Sequence, residues 1–360
     1  MIRVGVAGAG GWAEVSHLPA LRRMPEFEVT AVATTRRESA ERAAAAYGAR
    51  HAFAGAEAMA AHPEVDLVVV SVKAPEHAKV IRAALDAGKH VLSEWPLGAG
   101  TAEAEELAAA AARAGVLNAV VLQGHHLPGA RYMADLSAEG RIGRIESLAL
   151  VASGAPLGGG RIPESLEWST DPAAGNSVLT VMAGHAVATL ERLAGPFAEL
   201  SARLPRHHDR VAVGETGRSV PNGVAGQVLV HGLLAGGASA SVIVYGGNGP
   251  APDPFHLRIV GERGTLTAAP AQPGMYLNWA DWSIDLSGEP LPVPGSYRTA
   301  PADLPPGPAA SVAAVYAEIA QAVAEGRPAR PDFATAARYH RLLTAIEESA
   351  AAGGATKEIA

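Results

Sequence analysis

Ile2-Arg3-Val4-Gly5-Val6-Ala7-Gly8-Ala9-Gly10-Gly11-Trp12-Ala13 opens the chain and decides the architecture of its first third. Residues 2–7 form a short apolar run of the kind that makes a buried strand, and the segment Glu14–Arg23 behind the glycines has helical character. Between them stands Gly8-x-Gly10-x-x-Ala13. Gly8 permits a tight turn. Gly10 lets a phosphate-bearing ligand approach the backbone. Ala13 is small enough for close helix–strand packing, while Gly11 and Trp12 fill the variable positions. Taken alone, a glycine-rich triplet is weak evidence in a chain with 40 glycines. The strand–turn–helix context makes this one a dinucleotide loop, with the pyrophosphate expected on N–H groups at the helix N-terminus.

Strand-like and helix-like segments alternate onward from this loop. Strands are expected at 28–33, 67–72, 90–93 and 118–122, and helices at 38–47, 76–87 and 102–114. The near-continuous apolar run at 67–72 suits a parallel strand covered on both faces. Short connections between alternating elements argue for a doubly wound parallel sheet. The pattern changes after residue 122. A helix at 128–139 precedes longer strands at 145–152, 224–234, 238–245 and 256–260. Gly261-Glu262-Arg263-Gly264 then turns the chain into a hairpin. A Pro/Gly-rich connection at 286–308 leads to helices at 312–324 and 333–351. The expected fold is an α/β Rossmann domain over 1–122, then an α+β domain over 123–360 with an open, mostly antiparallel sheet.

The second strand runs out through Thr34-Thr35-Arg36-Arg37. A site selective for NAD places Asp or Glu at the position of Thr34, on the ribose hydroxyls. A hydroxyl and nearby guanidinium groups favour a 2′-phosphate instead. NADP(H) is therefore expected over NAD(H), although NAD(H) is possible. Composition narrows the partners. The net charge is −7 with no basic run, which disfavours nucleic acid and anionic membrane. No apolar run approaches the ~18 residues needed to span a bilayer. The glycines that break the N-terminal run favour a first strand over a signal peptide, so a cytoplasmic protein is expected. The absence of cysteine removes thiolate ligands and nucleophiles, and no metal site is expected.

Several segments together resemble the glucose–fructose oxidoreductase / inositol dehydrogenase (Gfo/Idh/MocA) family. They are Val6–Gly10 with His17-Leu18-Pro19-Ala20-Leu21, Asp66–Val72 with His77, Leu85–Val91, Gly140–Ile145 and Gly261–Leu266. The resemblance implies a carbohydrate or polyol substrate and a homodimer or homotetramer built on the open sheet. It also implies a dinucleotide held by Gly8, Gly10, Gly11, Trp12, Ala13, Thr34, Thr35, Arg36, Arg37, Val72, His77, Glu94 and Pro96.

The departures from the family pattern fall where its proton chemistry resides. The family's Glu-Lys-Pro reads Glu94-Trp95-Pro96. In its Asp-x-x-x-His motif, set at i and i+4 on a helix, His185 is present but Val181 replaces Asp. The usual Thr-Pro after the fourth strand is Val72-Lys73. The segments Glu94-Trp95, Leu122-Gln123-Gly124, Gly184-His185 and Gly246-Gly247 are similar to the branch of the yeast galactose-regulon repressor, which binds NAD(P) but regulates a transcription activator.

An indole can neither take up a proton nor carry charge at neutral pH. The standard mechanism thus cannot run unchanged, and three readings follow. His185 acts alone as acid–base with Trp95 stacking on the nicotinamide or a sugar ring. Alternatively the base is relocated, with Lys73 the first candidate and His77, His125 and His126 nearby. Or the protein binds cofactor and ligand without turnover, as a regulator or sensor. Asn176 and Trp168 are candidates for the substrate cleft, and His207-His208-Asp209 reads as an exposed turn.

Overall fold

The computed structural model describes residues 1–154, 157–247 and 254–359. It forms two compact units, Met1–Gln123 with Thr299–His340, and Gly124–Arg298 with Arg341–Ala360.

The first unit is built on six parallel strands: β1 (Ile2–Ala7), β2 (Phe27–Thr34), β3 (His51–Ala54), β4 (Leu67–Val70), β5 (His90–Glu94) and β6 (Asn118–Val121). Their order is β3-β2-β1-β4-β5-β6, so the direction of winding reverses between β1 and β4. Ligands of such sheets bind at the carboxyl ends of the strands beside that reversal. Gly8 leaves β1 there, beside Ser71 after β4. The helices are α1 (Trp12–Val15), α2 (His17–Leu21), α3 (Arg37–Tyr47), α4 (Ala56–Ala60), α5 (His77–Asp86) and α6 (Thr101–Ala114).

Two expectations need correction here. The helix expected over residues 14–23 is two short ones, α1 and α2, broken at Ser16, whose φ −125° and ψ −79° are not helical. α1 is a single turn, so its macrodipole contributes little, and the loop's own N–H groups are left to meet a pyrophosphate. A boundary at 122/123 also leaves out residues 299–340, which return to the first unit. The reason is a bare sheet face. Val4, Val6, Leu67, Val69, Leu92, Ala119 and Val121 share one core with Val312, Val315, Tyr316 and Ile319 from a late helix. Burial of that apolar stripe outweighs its distance along the chain.

The second unit carries α7 (Pro128–Ala138), β7 (Ile145–Gly154), β8 (Arg161–Ile162), α8 (Gly184–Ala194), β9 (Phe197–Arg203), β10 (Arg210–Val213), β11 (Arg218–Pro221), β12 (Gln227–Leu234), β13 (Ser239–Gly246), β14 (Phe255–Gly261), β15 (Gly264–Pro270), β16 (Trp282–Leu286), β17 (Glu289–Pro290) and β18 (Lys357–Glu358). Nine of these strands form one sheet, β17-β16-β15-β14-β7-β13-β12-β9-β18. It is antiparallel throughout except for the β7–β13 pair. Leu148, Leu150, Val242, Val244, Leu257 and Ile259 fill its buried face, and alternate residues such as Val151, Leu233 and Tyr245 stand exposed on the other. A separate sheet, β11-β10-β8, closes over Ile162, Val211, Val213 and Val220. The late helix of the first core is α9 (Pro308–Glu325), and α10 (Phe333–Ala351) follows it.

Gly246 and Gly247, conspicuous in the sequence, have a local packing role. A Cβ on Gly247 would lie 2.0 Å from the backbone of Gly159, and one on Gly246 2.4 Å from the Leu157 carbonyl oxygen. Side chains here would push apart backbones that cross in contact.

Candidate functional site

The glycine loop, the end of β2 and the ends of β4 and β5 all belong to the first unit. Gly8, at φ +85°, donates its N–H to the Ala33 carbonyl at 2.9 Å, and a Cβ on it would lie 2.3 Å from the Ser71 carbonyl oxygen. Gly8 is therefore required by the fold. Gly10 and Gly11 differ, because a Cβ on either would meet nothing within 4 Å. Their bare backbone faces open space, which is what a dinucleotide needs to come close. Ala13 is buried behind them.

At the end of β2 the Thr34 hydroxyl lies 2.8 Å from the Arg36 carbonyl and 2.6 Å from the Ser39 hydroxyl. Its proton is thus engaged in the turn into α3. Arg37 pairs along α3 with Glu41 at 2.6 Å, and Thr35 is exposed. Arg36, the N-cap residue of α3, is exposed and has no side-chain partner among the described residues. Of the four residues expected around a 2′-phosphate, Arg36 is the one whose charge is uncommitted.

At the end of β5, Glu94 points back at the glycine loop. Its Oε1 accepts from the Trp12 indole at 2.9 Å and lies 2.6 Å from His17 Nε2. His17 Nδ1 is in turn 2.8 Å from the Tyr316 hydroxyl of α9. The peptide bond between Trp95 and Pro96 is cis. Trp95 is 4 % exposed, its ring set edge-on to Tyr339 at 6.3 Å and tilted on His340 at 4.9 Å, both on α10. An indole enclosed by these rings has little face left for stacking on a nicotinamide or a sugar. Burial pushes His340 down to about 4, with His77 nearby adding to the effect.

Lys73 stands exposed in the turn after β4. His77 is buried, with Nδ1 2.8 Å from the Pro96 carbonyl and Nε2 3.0 Å from the Val72 carbonyl. It joins the loops that follow β4 and β5. Burial holds its pKa below the usual histidine value, against the pull of those carbonyls. At the same carboxyl edge, Ser71 Oγ and Gln123 Oε1 are buried with no hydrogen-bond partner.

His185 lies in the second unit, buried at the start of α8, where its carbonyl accepts from the Thr189 hydroxyl at 2.9 Å. The turn before it, Val178–Ala183, is π-helical and opens with a Ser177/Thr180 capping box. Val181 sits in that wider i→i+5 turn and His185 in regular helix, so the one-face relation of an ordinary i, i+4 pair does not carry over. Tyr276 donates to the Met182 carbonyl at 3.4 Å, its own pKa raised by burial. Trp168 donates to the Ser165 carbonyl at 2.9 Å, and Asn176 is half-buried. Gln123–His125 forms a single 3₁₀ turn, with His125 and His126 partly exposed. In the turn at 207–209, Asp209 pairs with Arg206 and His207 lies 3.3 Å from Gln227. Among the described residues no three His, Asp or Glu side chains are placed to hold a metal ion, and no helix is long and apolar enough to cross a membrane.

The profile of an oxidoreductase family with an NAD-binding Rossmann fold matches residues 2–122, and that of the Gal80p C-terminal domain matches residues 128–269. The dehydrogenase aclE of Aspergillus oryzae is 30 % identical over 281 residues, 74 % of this chain and 76 % of that protein. The chain belongs to the Gfo/Idh/MocA family. Within this family its fold is similar to that of a super-repressor mutant of Gal80p from Saccharomyces cerevisiae. That match has a TM-score of 0.88 at 22 % identity and covers 99 % of this chain and 98 % of the other. Levoglucosan dehydrogenase in complex with NADH and levoglucosan gives 0.82 at 22 % identity, covering 100 % and 99 %.

The sequence did not single out Tyr316, His340 or a role for His17. Each acts through a partner distant along the chain, so no local spacing marks it. Of the three, only Tyr316 stands between apolar neighbours, Val315 and Ala317, while His17 follows Ser16 and His340 lies between Tyr339 and Arg341.

Proposed function

We propose that this member of the Gfo/Idh/MocA family is an NADP(H)-dependent oxidoreductase-like protein acting on a carbohydrate or polyol. The observation that carries the reading is the open backbone at Gly10 and Gly11 beside an uncommitted Arg36. The loop's N–H groups would hold the pyrophosphate, and Arg36 the 2′-phosphate by charge-assisted hydrogen bonds. Nicotinamide, when bound, supplies a hydride acceptor or donor. His185 would move the substrate's hydroxyl proton, since Trp95 and Val181 cannot. Lys73 and His77 would flank the cofactor at the end of β4. Lys73 stands at the surface, while His77 acts by holding the loops. The levoglucosan dehydrogenase complex supports the substrate class, and its NADH leaves NAD(H) as the second cofactor. The exposed apolar residues of the nine-stranded sheet support a homodimer or homotetramer through that face.

A second reading rests on the match to the Gal80p C-terminal domain together with the enclosed Trp95. In it the protein binds dinucleotide as a regulator or sensor of a sugar or protein ligand, without turnover. A panel of sugars and polyols, followed through NADPH absorbance, separates the two. Turnover by the wild type that His185→Ala abolishes supports the enzyme. Tight NADPH binding with no turnover on any member of the panel supports the regulator.

A further inference from the structure

We infer that His17 and Tyr316 are positioning residues for the glycine loop, acting through Glu94 on Trp12; this rests on the cofactor reading above. A single oxygen, Glu94 Oε1, receives both the Trp12 indole at 2.9 Å and His17 Nε2 at 2.6 Å. Trp12 and His17 are five positions apart. On an unbroken α-helix they would point about 140° apart and could not converge on one atom. The break at Ser16 removes that constraint. Ser16 is itself buried, and its hydroxyl donates to the Trp12 carbonyl at 2.6 Å, which fixes the turn.

The tautomer of His17 follows from its partners. A carboxylate is an acceptor only, so Nε2 carries the proton, and Nδ1 then accepts from the Tyr316 hydroxyl at 2.8 Å. Tyr316 is fully buried, and burial raises its pKa well above the ordinary value, so it remains a donor. The chain Tyr316–His17–Glu94–Trp12 thus runs from the core to the loop with each donor matched to an acceptor. Trp12 directly follows Gly11, whose φ is +53° and whose backbone faces open space. Pinning the indole restricts the freedom of that loop before any ligand arrives, and the ordering cost of binding falls accordingly.

The test uses the full-length protein labelled with ¹⁵N-tryptophan. The indole N–H signal that disappears in Trp12→Phe is followed alongside NADPH affinity by fluorescence titration. His17→Leu should shift the Trp12 signal and speed its exchange with water, and weaken NADPH binding about ten-fold. Trp12→Phe should weaken binding by a similar factor, and the double variant by about ten-fold rather than a hundred-fold, because both act through Glu94. His17→Gln, whose amide can still donate to Glu94, should restore most of the affinity. Tyr316→Phe keeps the ring in the core and should move both readings the same way by a smaller factor. A Trp12 signal indifferent to His17 and Tyr316, or losses that multiply in the double variant, overturns the inference. If the wild type binds neither NADPH nor NADH, the cofactor reading fails, and the indole signal alone then decides whether the clasp exists.

Discussion

His77 Nδ1 lies 2.8 Å from the carbonyl oxygen of Pro96, while Nε2 of the same ring lies 3.0 Å from that of Val72. A neutral imidazole has one N–H for these two acceptors, and burial opposes the doubly protonated form that would satisfy both. The ring is therefore a clamp that serves one carbonyl fully and faces the other with a lone pair. Removing it takes the donor from whichever carbonyl it serves, the buried one of Pro96 or the part-buried one of Val72. His77→Leu should cost about 1–3 kcal/mol in urea unfolding, the range for an unsatisfied buried polar group. His77→Gln, with two amide protons, should lose less. Equal losses would mean that the ring acts by packing alone.

His340 makes stability depend on pH. Its folded pKa of about 4 lies below the ordinary 6.5. The unfolded chain therefore binds more protons between these values, and stability rises with pH across this window. The contribution is present above about 6.5 and is lost as pH falls toward about 4, a difference of about 3 kcal/mol at most. Measured from pH 7 to pH 4, the melting temperature of wild type should fall relative to that of His340→Phe. Parallel curves would show that His340 is not held neutral by the core.

Cofactor choice should follow Arg36. Arg36→Ala should weaken NADPH by about 10–100-fold, the worth of a charge-assisted contact of about 1.5–3 kcal/mol, and leave NADH nearly unchanged. Thr34→Asp should turn the preference toward NADH, because a carboxylate repels the 2′-phosphate and bonds the ribose hydroxyls. Isothermal titration with both dinucleotides reads the ratio directly. An unchanged NADPH/NADH ratio in Arg36→Ala would remove Arg36 from the site.

What the sequence revealed, and what it hid, divides by range along the chain. β1, β4 and the glycine loop are legible because the need is local: a doubly covered strand requires a continuous apolar run, and a backbone crossing requires glycine. β3, His51–Ala54, has no fully buried residue and so no apolar signature. The return of α9 to the first sheet is invisible because a helix's apolar stripe does not say which face it covers. The same limit applies at the site. Gly10 could be read from spacing, but the His17–Glu94 and His17–Tyr316 contacts join residues 77 and 299 positions apart. Trp95 was conspicuous as a replacement for Lys, yet only packing shows it enclosed by Tyr339 and His340.

Gly8 and Gly10 should answer differently to the same substitution. Gly8→Ala places a methyl 2.3 Å from the Ser71 carbonyl at a φ of +85°, where two penalties combine. It should destabilise by more than about 2 kcal/mol, or prevent folding. Gly10→Ala meets no atom within 4 Å and should fold with an unaltered melting temperature. Its methyl fills the approach to the loop, so dinucleotide affinity should fall at least ten-fold. Calorimetric melting and NADPH titration of the two variants give the comparison. A Gly10→Ala protein that binds normally would mean the pyrophosphate does not use this loop.

Restoring the family's lysine should fail at position 95. The side chain there is 4 % exposed and packed by aromatic rings of α10. Trp95→Lys removes the indole's packing, worth about 3–5 kcal/mol by analogy with buried Trp→Ala changes, and an ammonium in its place must either desolvate or give up its proton. The variant should therefore unfold at lower urea than Trp95→Phe, which keeps an aromatic partner for Tyr339 and His340. It should gain no sugar-dependent NADPH oxidation. Lys at this position needs an open, polar end to β5, and here that end has been closed by Trp95 together with α10. A Trp95→Lys protein as stable as wild type and newly active would show that the rings around position 95 separate easily, and that this indole is a plug rather than a member of the core.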